Sequence, residues 1–155
     1  MGTVSRGCRA WRRARDGGKA ANAFEIFASA FTLRNSFHCI GDQSGKGYSK
    51  NTRRPFTLEA NFAAAAGLQE MLLQSHTGII EVFPAIPSDW DDCSFTTLRA
   101  QGAFLVSATR VAGVTRRVEI VSEAGGTCRL RSPFSGKLLE FPMEPGQKLE
   151  LTADP

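Results

Sequence analysis

The 155-residue sequence predicts an α+β protein in which helices come first and an antiparallel β-sandwich follows. Three features carry that expectation. Up to about Thr77 the apolar residues recur at steps of three and four, the period of an amphipathic helix. After Gly78 the period shortens to two, the alternation of strands with one buried face. Turn dipeptides punctuate this second half at short intervals, which suits a sandwich of short strands.

The first helix is expected within "KAANAFEIFASAFTL", where Ala20, Ala23, Phe24, Phe27, Ala30 and Phe31 form one apolar stripe. The segment "RNSFHCIGDQSGKGYSKNTRRP" follows, polar, glycine-rich and too long for an ordinary connection, so either a structured functional loop or disorder is expected there. A second helix is expected over about Asn61 to Ser75, with His76 in its last turn and Gly78 as its stop. Its polar positions Gln69, Glu70 and Gln74 make only a narrow strip, the pattern of a helix surrounded by protein. Seven strands are then expected in "GIIEVFPAIP", "SFTTLRA", "AFLVSATRV", "RRVEIVSE", "GTCRLRSP", "KLLEFPM" and "QKLELTA". The turn signals between them include Ala112-Gly113, Gly125-Gly126, Ser135-Gly136 and Pro145-Gly146. This half, 78–155, is a candidate for independent folding, with 1–77 as the other domain.

Composition narrows the function classes. Hydrophobic residues at 42% and charged residues at 22% describe a chain that packs a core. The net charge of +4 is concentrated at the start: Arg6, Arg9, Arg12, Arg13, Arg15 and Lys19 against Asp16 give +5, leaving −1 for the remainder. A basic terminus without interleaved aromatics argues against a nucleic-acid partner. No apolar run reaches the ~18 residues that span a bilayer, so no membrane partner is expected. The first eighteen residues have positive charge but no apolar stretch behind it, unlike a secretory signal, and Met-Gly with Ser5 is only a fragment of a myristoylation pattern. Cys8, Cys39, Cys93 and Cys128 are far apart with no CxxC pair, which favours buried free thiols over a zinc site.

Several motifs have ordinary explanations. "GDQSGKG", Gly41 to Gly47, is one residue short of a phosphate loop and lacks a following helix. Asp89, Asp91 and Asp92 around Trp90 read as a solvated turn led by Pro87. Glu59 is the exception. A carboxylate just before a helix lies in the positive end of the macrodipole, beside unpaired N–H groups. An acid kept ionised there is suited to accept a proton and poorly suited to donate one. Capping the helix is its structural alternative.

The run from Asn35 to Ala108 resembles the C-terminal part of glycoside hydrolase family 95, the α-L-fucosidase-type enzymes. The resemblance rests on "FTLEANF" (Phe56 to Phe62), "EMLLQSH", "FPAIPSDW" and "LRAQGAF", and it extends from about Arg9 to the C-terminus. It implies that 1–77 is the C-terminal fragment of a six-hairpin α/α-barrel catalytic domain and 78–155 the C-terminal β-sandwich. It also implies inverting hydrolysis by two carboxyl groups spaced about 6.5–9.5 Å apart to admit a water. Glu59 falls where the family places its catalytic base, an Asp in the fucosidases, and adds one methylene, about 1.5 Å of reach. Asn61 matches the motif's Asn. His38, Gln43 and Arg53 would line the sugar pocket, although fucosidases often carry a His where Arg53 stands.

By the same resemblance the general acid lies upstream of this sequence, and one carboxylate cannot perform both proton transfers. The implied reading is an inverting hydrolase fragment that carries the base without the acid. Its expected partners are a carbohydrate substrate and the N-terminal part of the enzyme, with no cofactor and no metal. A secreted or periplasmic location would follow from the family, with no signal peptide in the sequence. The alternative is a non-catalytic β-sandwich that binds carbohydrate or serves as a structural module.

Overall fold

The computed structural model describes residues 15–153. Arg6, Arg9, Arg12, Arg13, Cys8 and the Met-Gly start with Ser5 lie outside the described residues. Two helices, α1 (Gly17–Ala30) and α2 (Leu58–Leu72), precede eight strands. The strands are β1 (Leu73–Gln74), β2 (Glu81–Val82), β3 (Cys93–Ala100), β4 (Phe104–Val111), β5 (Val114–Ser122), β6 (Gly126–Arg131), β7 (Leu138–Met143) and β8 (Lys148–Thr152). The chain forms two compact units, one of Met1–Met71 with Ala85–Pro87 and one of Leu72–Pro84 with Ser88–Pro155.

Helix α1 begins at Asp16, whose carboxylate accepts from the Lys19 amide at 3.0 Å. It ends where the Phe31 amide bonds back to the Phe27 carbonyl. The two helices differ in what they show to water. The exposed stripe of α1 is Gly18, Lys19, Asn22, Glu25, Ala28 and Ser29, a mostly polar face. The exposed stripe of α2 is Leu58, Glu59, Phe62, Ala65, Ala66 and Gln69, which is mainly apolar. Phe62 is 68% exposed.

The described α2 lies three residues earlier at each end than the sequence predicts. Leu73 and Gln74, expected to be helical, instead pair with Val82 and Glu81 as β1 and β2. Both strands are buried, so tertiary pairing overrides the helical spacing there. His76 consequently stands in an exposed turn, closed by the Gly78 amide on the Ser75 carbonyl at 2.9 Å, and not in a last helical turn. Its expected partnership with a helix C-terminus is therefore absent.

The β unit has two layers. One is the sheet β3-β4-β5-β8, antiparallel throughout. The other combines β1-β2 with β6-β7, joined where Ile80 pairs with Leu130 through two backbone bonds of 2.7 and 2.9 Å. Both layers feed one core: Phe95, Phe104, Val106, Ala108, Val118 and Ile120 from the first, Leu73, Ile80, Val82, Cys128, Leu130 and Met143 from the second. The arrangement is the sandwich expected from the alternation, with β1 as an eighth strand that the pattern did not reveal.

Two bulges adjust the phase of that alternation. Register shifts between Thr109 and Arg110, so Thr115 and Val118 both face inward although two residues, Arg116 and Arg117, separate them. On β3 the shift falls between Phe95 and Leu98, where Thr97 takes a φ of 54° and its amide donates to the Ser107 hydroxyl at 3.0 Å. The β4–β5 hairpin turns through Ala112 and Gly113, both at positive φ (49° and 74°), as a two-residue type I′ loop requires.

Ile120 is essentially fully buried, so Ile120→Ala is expected to cost about 2–5 kcal/mol in denaturant unfolding of the whole chain. Ala112→Asn places a residue that tolerates the left-handed region at the turn. It is expected to raise the thermal midpoint, with a gain of up to about 1 kcal/mol.

Candidate active site

The residues singled out in the sequence all belong to the helical unit. The segment between α1 and α2 has almost no regular pairing, so its peptide groups must find other partners. Isolated bridges supply some: Thr32 with His38 and Cys39 with Phe56. The Cys39 amide donates to the Phe31 carbonyl at 2.8 Å and the Gln43 amide to the Ala30 carbonyl at 2.8 Å, which fastens the segment to the end of α1. The segment is thus a structured loop.

Gly41 permits its closest approach. A Cβ there would lie 2.2 Å from the Arg53 carbonyl oxygen and 2.4 Å from the Thr52 carbonyl carbon, so two backbones cross where only glycine fits. Gln43 bridges the same crossing: its amide nitrogen donates to the carbonyls of Gly41 (3.0 Å) and Thr52 (3.1 Å), and its oxygen accepts from Arg54 Nε at 2.7 Å. Asp42, 4% exposed, organises the loop beyond it. One carboxylate oxygen accepts from the Ser44 amide (2.7 Å) and hydroxyl (2.6 Å), the other from the Tyr48 amide (2.8 Å). The Ser44 hydroxyl is the main reason its carboxyl is held below the usual carboxylate range. "GDQSGKG" is therefore an Asp-anchored loop with Gly45 and Gly47 at positive φ (72° and 79°).

His38 lies where the loop meets both helices. Its ring stacks on Phe27 of α1, centroids 5.5 Å apart and planes within 1°, and on Phe31 at 6.4 Å. Its Nδ1 shares a 2.8 Å hydrogen bond with the Thr57 hydroxyl, and its amide donates to Asn61 Oδ1 at 2.8 Å. Burial pushes the imidazole below the ordinary histidine value, opposed by the Thr57 backbone and the Glu59 charge. Asn61 Nδ2 donates to the Ser36 carbonyl at 2.8 Å.

Glu59 lies in the first turn of α2, inside the helix and not ahead of it, because the helix begins at Leu58. The macrodipole argument applies equally at that position. Its side chain is exposed, on the same stripe as Leu58 and Phe62. Around it, Phe56 is 63% exposed and stacks obliquely on Phe37, centroids 5.7 Å apart. Arg53 is exposed. The structure thus brings His38, Asn61 and Thr57 together at the start of α2, with Glu59 two residues from each of the latter. Gln43 and Arg53 belong to the crossing at Gly41. Thr57 was not singled out in the sequence; a hydroxyl residue just ahead of a helix was the available signal.

Among the described residues no group of three or more His, Cys, Asp or Glu side chains could hold a metal ion. Cys39, Cys93 and Cys128 are free thiols, and burial raises Cys128 to about 11.

Residues 74–149, just under half of the chain, match the glycoside hydrolase family 95 C-terminal domain. A curated relative, Alpha-L-fucosidase 2 of Arabidopsis thaliana, is 44% identical over 54 residues, 34% of this chain and 6% of that protein. The chain spans only a small part of that relative's length. The resemblance to the C-terminal portion of a family 95 protein stands on both findings.

The Asp42 network is testable by its pH response. A carboxyl lowered by folding stabilises above its unfolded-state value, about 3.9, and loses that effect as pH falls through the lower folded-state value. NMR shifts of the Ser44 and Tyr48 amides are expected to titrate together, with a midpoint below that of an ordinary aspartate. Asp42→Asn is expected to abolish this shared titration.

Proposed function

We propose that this chain is the C-terminal part of an inverting glycoside hydrolase acting on α-L-fucosides or related sugars. In this reading 1–77 is the last portion of an α/α-barrel catalytic domain, 78–155 its C-terminal sandwich, and Glu59 the base that activates water. The observation that carries it is the match of residues 74–149 to the family 95 C-terminal domain; "FTLEANF", Phe56 to Phe62, lies upstream of that match and runs into the start of α2.

Two physical features support the catalytic half. Glu59 occupies the first turn of a helix, where the macrodipole favours a negative charge ready to take a proton. Its stripe is apolar: Leu58, Phe62, Ala65 and Ala66 face outward together, a surface suited to contact with further protein. A barrel segment carrying the general acid would cover that stripe and complete the pair of carboxyl groups that inversion needs. The sandwich reads as a buttress. Phe134, 37% exposed, is the one large aromatic that its described residues present to solvent, where a sugar-binding face would offer a row of rings.

With the acid missing, the purified chain is expected to leave aryl α-L-fucosides and α-L-galactosides unhydrolysed, and turnover abolished by Glu59→Gln would overturn the fragment reading. In place of the corresponding segment of an active family 95 enzyme, the chain is expected to support hydrolysis. There Glu59→Gln should lower kcat by about 10²–10⁴-fold. Equal activity with and without the carboxylate would remove Glu59 from the mechanism.

A further inference from the structure

The loop after Gly41 concentrates positive charge. Between Gln43 and Leu58 the sequence has Lys46, Lys50, Arg53 and Arg54 and no acid, a balance of +4. Residues 21–155 total −1, so everything else in that span carries −5. All four basic residues are exposed. The adjoining carboxylate, Asp42, is turned inward: it is 4% exposed and accepts from the Ser44 and Tyr48 amides. The Asp42 amide also donates to the Asn51 carbonyl at 2.7 Å, which brings the two ends of the loop together. Lys46 and Lys50 thus stand on a compact closed loop, the kind of surface element that commonly carries function. At its base, Arg54 is oriented through Nε by the 2.7 Å bond to Gln43, which points to its Nη donors as the end left for a ligand. Among the described residues none of the four basic groups makes an ion pair, whereas Arg99, Arg117, Arg129 and Arg131 of the sandwich each meet a glutamate.

We propose that this loop is a contact surface for an anionic polysaccharide, whose sulfate-ester or uronate groups are met by Lys46, Lys50, Arg53 and Arg54. The choice of a glycan among polyanions rests on the reading of the chain as part of a glycoside hydrolase; the preference for negative charge rests on the loop itself. A guanidinium presents a planar fork that matches two oxygens of a sulfate or carboxylate, and a lysine supplies a point charge on a flexible stem. Two of each on one closed loop suit a polymer whose charged groups recur along the chain. Exposed charges are screened by salt, so the attraction depends on ionic strength.

Biolayer interferometry of the whole chain against an immobilised sulfated fucan, its chemically desulfated form, polygalacturonate and single-stranded DNA tests this. Binding is expected to the sulfated fucan, the polygalacturonate or both, and not to the desulfated polymer; the one that responds identifies sulfate or carboxylate as the group bound. The response should fall as salt rises from about 0.1 to 1 M, where the screening length shortens from about 10 to 3 Å. Lys46→Gln with Lys50→Gln, both surface changes, is expected to weaken binding by about tenfold or more. Because the first twenty residues carry +5, Arg12→Gln with Arg13→Gln is the control and should retain most of the affinity. No binding to either acidic polymer, equal binding to the desulfated one, or an unchanged affinity in the double lysine variant would overturn the proposal. A loss in the control at least as large as in the lysine variant would overturn it too, and DNA bound as tightly as the glycan would overturn the choice of a glycan. The readout is binding and not turnover, so an inactive Glu59 chimaera leaves this result standing, and an absence of binding leaves the chimaera assay standing.

Discussion

A peptide group removed from water must find a partner, and the segment joining the two helices has little regular structure to provide one. Its side chains meet that demand. Asn61 serves Ser36 and His38, Gln43 serves Gly41 and Thr52, and Asp42 serves Ser44 and Tyr48. The bonds converge on the end of α1 and the beginning of α2. His38 sits between them, with its ring on the aromatic face of one helix and its amide on a side chain of the other. The position of the helical turn bearing Glu59, relative to the loop, is set by these polar contacts.

The sandwich is ordered by a different force. Its side chains alternate, and two layers contribute aliphatic and aromatic groups to one interior. Exposed charges pair across the outer faces, where Arg117 meets Glu150 and Glu119, Lys148 meets Glu119, and Arg129 meets Glu140, while the buried Glu81 pairs with Arg131 at 2.8 Å. Such exposed pairs stabilise weakly, on the order of 0–1 kcal/mol each, and mainly fix which residues stand opposite one another across the strands. Burial of the interior supplies the stability, so this half is expected to tolerate surface change and resist core change.

This contrast explains which parts of the structure were legible in the sequence. Period-two alternation is a direct consequence of burying one face, and six of the strands from β3 to β8 lie where the pattern put them. Strand β1 was hidden because Leu73 and Gln74 continue the helical spacing of "EMLLQ"; their fate was decided by Glu81 and Val82, which lie beyond any local window. The loop was legible as structured or disordered, without a choice between them, because nothing local shows that Gly41 will meet Thr52 and Arg53. The site was legible in residue types more than in roles. Amides and acids near a sugar pocket and amides satisfying a loop have the same composition, and only geometry separates them. Asn61 hydrogen-bonds to the backbone of Ser36 and His38, Gln43 to the backbone of Gly41 and Thr52 and to the Arg54 side chain, and Glu59 is exposed.

Strand β3 forms one margin of the four-stranded sheet, with its free side unpaired. A flat margin of that kind would offer a template on which a neighbouring molecule could extend the sheet. The irregularity at Phe95–Leu98 spoils that template: Thr97 turns its amide to Ser107, and the hydrogen-bonding groups along the rim no longer repeat at an even spacing. The irregularity at Thr97 thereby disfavours edge-to-edge extension of the sheet along β3.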